Sequence, residues 1–260
     1  MTTQRGFTLI EMAIVLVIIT ILIGGLAVPL SAQIQARRIA ETKKTLEEAR
    51  EAILGYAMAN TVTVLVDHDG DPATPDISIP RHYLPCPDTN NDGKENRGLA
   101  GDPDACTAPV GLFPWVTLAT ARQDAWGNHI RYAVAAELAN SATGFHTPPI
   151  PVATWNQVLS STAKCDPLNV DVAQNVPVVV VSHGANGRGA RNISIPEGNA
   201  TPGPPPATGT DELQNLGSVQ TGCTTNTLIS SNPSEPFDDL LAWVSFPQLV
   251  NRVCPAGGCP

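Results

Sequence analysis

One uninterrupted apolar run constrains this chain more than any other feature. From Phe7 to Leu30, 24 residues, only Thr8, Glu11 and Thr20 carry side chains that resist burial. About 20 apolar residues, each rising roughly 1.5 Å along a helix, cross a hydrocarbon core of about 30 Å. The run therefore predicts a helix of membrane length. A secretory signal peptide is the competing reading, because Leu30-Ser31-Ala32 would serve as a cleavage site. Its apolar region, however, is usually only about 7–15 residues long and carries no acid.

Glu11 is the residue that needs a reason. A carboxylate within a membrane span costs about 2.5–3.5 kcal/mol on insertion scales, so it requires a partner or a function. A cut after Gly6 would create a partner, a new α-amine on Phe7. In a bundle of identical helices, Glu11 of one subunit can meet the Phe7 amine of its neighbour, and a desolvated pair of this kind sets register.

The string Arg5-Gly6-Phe7-Thr8-Leu9-Ile10-Glu11-Met12, in which a short polar leader ends at Gly6, resembles the class III signal of type IV pilins and of type II secretion pseudopilins. The resemblance implies that Gly6 precedes the prepilin-peptidase cut, that Phe7 becomes the N-methylated terminus, and that Glu11 guides assembly. It also implies a single-pass protein of the inner membrane with its head in the periplasm, later part of a periplasmic or surface filament. The implied partners are other pilin or pseudopilin subunits, the prepilin peptidase, an inner-membrane assembly platform and membrane lipid. Pro29 falls one residue later than the helix-kinking proline common in that family. The cationic residues Arg37, Arg38, Lys43 and Lys44 outnumber Arg5 across the run, so a positive-inside count opposes this orientation and the motif alone carries it.

Beyond Pro29 the helical pattern persists. Ala32, Ile39, Leu46 and Ile53 fall seven apart, with Ala49 and Tyr56 three residues after Leu46 and Ile53, in sequence rich in Glu and Lys. That is an amphipathic stripe, and it predicts one helix of about 50 residues from Phe7 to Tyr56, roughly 75–80 Å long. A free coiled coil is the alternative, opposed by Thr42 at a seam position. The expected organisation is a leader at 1–6, a membrane or filament-core helix at 7–30, an amphipathic stem at 31–60 and an extracytoplasmic head at 61–260.

The head is large enough for one substantial domain. The chain holds 24 Asp and Glu against 15 Lys and Arg, a balance that suits an extracytoplasmic face and argues against nucleic acid as a partner. Runs at Thr61–Val66, Ile130–Ala136, Val176–Ser182 and Leu240–Phe246 read as short strands bounded by turn residues. The predicted class is α+β, a long N-terminal helix packed on an antiparallel sheet with long, disulfide-stapled loops. Asp124-Ala125-Trp126-Gly127-Asn128 is similar to the Asp-Pro-Trp-Gly-Asn segment of major pseudopilins, where the Trp anchors the core and Gly-Asn makes a tight turn. All six cysteines, Cys86, Cys106, Cys165, Cys223, Cys254 and Cys259, lie beyond the apolar run. An even number in an exported domain reads as disulfides, with 15 possible pairings. Cys86 with Cys106 and Cys254 with Cys259 are the local pairs, leaving Cys165 with Cys223. Zinc is the rival, without a Cys-x-x-Cys or paired His spacing to favour it.

Two loops invite a cation. Asp88, Asn90 and Asp92 alternate ahead of Gly93, with Glu95 beyond, which resembles the start of an EF-hand or dockerin loop. Such oxygen ligands suit Ca2+, although Ala100 stands where the twelfth-position Glu belongs. Asp67-His68-Asp69-Gly70-Asp71 is a poorer echo, and a solvated Asp/Asn turn explains both equally simply. Ser182-His183 does not make a nucleophile–base pair, no Gly-x-Ser-x-Gly elbow occurs, and His183 reads as structural. No catalytic residue is expected. The function these features predict is that of a filament subunit, a minor pilin or pseudopilin rather than an enzyme. A membrane-anchored adhesin or ligand-binding module exported by the same route is the alternative.

Overall fold

The computed structural model describes residues 6, 8–67, 70–71, 74–145, 157–160, 172–194, 203–205, 211–216, 226–234, 237–254 and 259, with backbone only at 23–29, 157–159 and 226–227. Its elements in chain order are α1 (Leu9–Ala59), β1 (Thr61–Val66), β2 (Ile77–His82), β3 (Arg97–Leu99), β4 (Asp102–Cys106), β5 (Val110–Leu112), α2 (Trp115–Leu118), β6 (Arg131–Val134), β7 (Gln157–Ser160), β8 (Val178–Ser182), α3 (Asp211–Asn215), β9 (Asn226–Ile229), β10 (Leu240–Val244) and α4 (Phe246–Val253). Two compact units divide the chain, Met1–Glu41 and Thr42–Pro260.

In the first unit the described residues are helical from Leu9 onward. Every described large apolar side chain from Leu9 to Leu22 is exposed, Leu9 to 90 %. Among the described residues no helix is long and apolar enough to cross a membrane. In this apolar run the described side chains are those of residues 8–22 and 30.

In the second unit α1 contributes a buried stripe of Thr42, Leu46, Ala49, Ile53, Leu54 and Ala57. This is the i, i+4, i+7 spacing of a helix with one face against a core. Thr42 belongs in that stripe because its Oγ1 accepts the Ala125 amide at 3.1 Å. Further links join the helix to the head: His82 Nδ1 lies 2.7 Å from the Ala57 carbonyl, and Arg252 on α4 donates to Glu51 at 2.7 Å.

The principal sheet has the order β10-β8-β6-β5, antiparallel throughout. Its centre is the all-buried β8, Val-Val-Val-Val-Ser, whose β-branched side chains suit a strand covered on both faces. Val176, Val179, Val181 and Leu228 form a core cluster against which Leu241 and Trp243 pack. Three two-stranded pairs complete the described strands: β1-β2 and β3-β4, both antiparallel, and β7-β9. The last is parallel, a departure from the expected all-antiparallel head. Disulfides join Cys86 to Cys106 and Cys254 to Cys259. Cys165 and Cys223 lie outside the described residues.

Candidate functional site

The helix start is built by the motif residues themselves. Because α1 begins at Leu9, Thr8 is its N-cap and Glu11 its third residue. Glu11 Oε2 accepts the Thr8 amide at 2.8 Å and the Thr8 hydroxyl at 2.7 Å, while the Glu11 amide faces Thr8 Oγ1 at 3.4 Å. This is a reciprocal capping box, in which two donors that lack intrahelical acceptors are satisfied at once. Glu11 thus has a partner within its own chain, nearer than a neighbour's amine, and Thr-x-x-Glu ahead of an apolar run is its sequence signal. Gly6 is exposed, and Phe7 lies outside the described residues.

The four loop residues considered for calcium each hold hydrogen bonds within the head. Asp88 is fully buried. Its Oδ1 accepts the Asn90 and Asn91 amides at 3.0 and 2.7 Å, and its Oδ2 accepts the Gly93 amide at 2.8 Å. Asn90 and Asp92 bond each other, and Asp92 Oδ1 accepts the Lys94 amide. Glu95 turns away, its Oε1 accepting the Tyr56 hydroxyl and its Oε2 the Cys86 amide and Arg97. Gly93 is required by the turn and by its packing: φ is +80° and a Cβ there would collide with Trp115. In the second loop Asp67 Oδ1 accepts the Gly70 amide at 2.7 Å. His68 and Asp69 lie outside the described residues.

The Asp124–Asn128 segment is a turn held by its own carboxylate. Asp124 Oδ1 accepts the Trp126 and Asn128 amides, each at 2.9 Å, and Oδ2 accepts the Ser182 hydroxyl at 2.7 Å. Gly127 has φ +85°, as the tight turn requires. Trp126 is half-buried rather than a fully buried anchor.

Register brings a polar group together that the sequence separates. Leu240 pairs with Ser182, which places Asp239 beside His183. His183 Nδ1 lies 3.3 Å from Asp239 Oδ1, and Asn215 Nδ2 donates to Asp239 Oδ2 at 2.8 Å. Glu212, Asp238 and Asp239 present carboxylate oxygens within 4.8 Å of one another, the one such group among the described residues. Glu212 Oε1 accepts Asn186 Nδ2 at 2.6 Å, and Asp238 Oδ2 accepts the Asn186 amide at 2.7 Å. Burial, together with the carboxylate of Asp238, pushes the Glu212 carboxyl up despite the bond from Asn186.

Residues 1–27 match the family model of the prokaryotic N-terminal methylation motif, the signature of type IV pilins and pseudopilins. That motif supports an exported protein of the cell envelope or a filament, of the type to which structural subunits belong. No curated protein and no solved structure matches the chain.

Proposed function

We propose that this chain is a minor pilin or pseudopilin, a subunit of a type IV pilus or type II secretion filament. Its head of about 200 residues, 61–260, is larger than a major subunit needs. Residues 1–6 are the leader, 7–30 enter the inner membrane, 31–60 form the stem, and the head lies in the periplasm. Prepilin peptidase cuts between Gly6 and Phe7 and methylates the new terminus. The subunit then leaves the lipid for the filament with the help of an inner-membrane assembly platform.

The observation that carries this reading is a capped helix whose apolar side chains are exposed from Leu9 to Leu22. A helix that is apolar all round requires lipid or neighbouring helices as its surroundings. Glu11 then has two successive partners. In the isolated subunit its carboxylate caps Thr8; in the filament the methylated amine of a neighbour's Phe7 replaces that cap. A charged partner in a desolvated bundle is worth more than an exposed neutral cap, so the exchange favours assembly and fixes axial register.

Co-expression with prepilin peptidase and a compatible assembly machine tests this. Wild-type protein should enter the sheared-filament fraction, whereas Glu11→Ala should remain in the membrane fraction. Equal recovery of both in filaments would refute the assembly role.

A further inference from the structure

Arg131 on β6, Arg191, His129 and His183 line one cavity of about 390 Å³ in the head, with Val110 and Leu112 of β5 on its apolar side. These bases gather in a chain whose net charge is −9. One acid, Asp88, also lines the cavity, its charge stabilised within the loop by the amides of Asn90, Asn91 and Gly93. The guanidinium of Arg191 has no hydrogen-bond partner among the described residues. Arg131 donates to the Leu216 carbonyl at 2.6 Å, a neutral acceptor that leaves most of its fork uncommitted. Burial pushes the Arg131 guanidinium down, opposed by the charge of Asp239, so its positive form is under-compensated where it stands. His183 is 2 % exposed, and its Nε2 has no partner among the described residues. Its Nδ1 lies 3.3 Å from Asp239 Oδ1.

We infer that this cavity binds a small organic carboxylate, its oxygens held by Arg131 and Arg191 and its apolar body laid against Val110 and Leu112. Guanidinium forks match carboxylate geometry, and the volume falls in the roughly 300–1,000 Å³ range of small-ligand pockets. A bare inorganic oxyanion would leave the β5 wall uncovered. The site is independent of the filament motif, so it stands or falls apart from the assembly reading.

The test is calorimetric titration of the full-length protein in detergent with benzoate, its neutral amide benzamide, and inorganic phosphate. Saturable benzoate binding is expected, with benzamide and phosphate each at least about tenfold weaker. Arg191→Gln should weaken benzoate about tenfold while leaving the fold intact, because that guanidinium supports no described hydrogen bond. Arg131→Lys, which keeps the charge but loses the fork, should weaken it as well. Benzoate and benzamide binding alike, no benzoate saturation, phosphate equalling benzoate, or indifference to both substitutions in a protein of unchanged circular dichroism would each overturn the proposal.

Discussion

The phenol of Tyr56, one turn from the end of α1, donates a 2.8 Å hydrogen bond to Oε1 of Glu95. The other oxygen of Glu95 accepts the Cys86 amide at 3.0 Å and Arg97 Nη2 at 2.9 Å. Arg97 in turn donates to carbonyls of Asp104, Leu84 and Ala139, and lies over the Tyr83 ring at 5.0 Å. One carboxylate thus joins the stem helix to the loop closed by Cys86–Cys106. Burial first, and Glu95 second, push the Tyr56 phenol well above its ordinary range, so it remains a donor throughout physiological pH.

Glu95→Ala removes the acceptor for three donors at once and should cost about 3 kcal/mol in urea unfolding of the full-length protein. Tyr56→Phe should cost about 1 kcal/mol. The double variant should fall short of the sum, since the two changes remove one shared contact.

Chelation should leave the thermal midpoint unchanged. Asp88 is held by three backbone amides and Glu95 by Tyr56, Cys86 and Arg97, so the 88–96 loop keeps its shape without a cation. A midpoint that falls in EDTA and recovers with calcium would return the loop to the role its sequence suggests.

Cys86 and Cys106 are 20 positions apart and buried. Closing a loop of that size restricts the unfolded chain by about 3 kcal/mol. Replacing both cysteines by serine should lower stability by that order, and reductant should then have little further effect through this bridge.

Glu212 should make stability depend on pH. Its folded carboxyl sits above the ordinary value of 4.5, so the ionised form is the disfavoured one in the native state. The penalty is absent below 4.5 and develops as pH rises through the raised value. Glu212→Gln keeps an oxygen for Asn186 but cannot ionise. It should therefore gain stability relative to wild type above that point, read as diverging melting temperatures in a pH series.

Thr8→Val keeps the shape of the residue but removes the hydroxyl cap. It should cost the helix start about 1 kcal/mol, seen as faster amide exchange at Ile10 and Glu11 in micelles. Thr8→Ser should behave as wild type.

Much of the head is legible wherever a strand's own residues favour it. β1 occupies Thr61–Val66 as read, and β6, β8 and β10 lie within the expected runs. Strands β2 to β5 were invisible because they form through their partners. β2 contains Pro80 and pairs only with β1 at an edge, where a proline is tolerated. β3 and β5 are three residues each in a stretch rich in Gly and Pro. The Asp88 loop is ambiguous for a physical reason: carboxylates that can wrap a cation also accept backbone amides in a turn, and residue type does not separate the two. Thr42 looked like a flaw in an apolar seam until the Ala125 amide supplied its reason. The His183–Asp239 contact, 56 positions apart, follows only from the β8–β10 register. At the N-terminus the motif was fully readable, except that Thr8 as well as Glu11 belongs to it.

The central claim is that this chain is processed after Gly6 and assembled through its first helix. Its most direct test is the intact mass and N-terminal sequence of the membrane-extracted protein, with and without prepilin peptidase. The account predicts a chain that begins at N-methylated Phe7 only when the peptidase is present. A chain beginning near Gln33, or one unchanged by the peptidase, would contradict it.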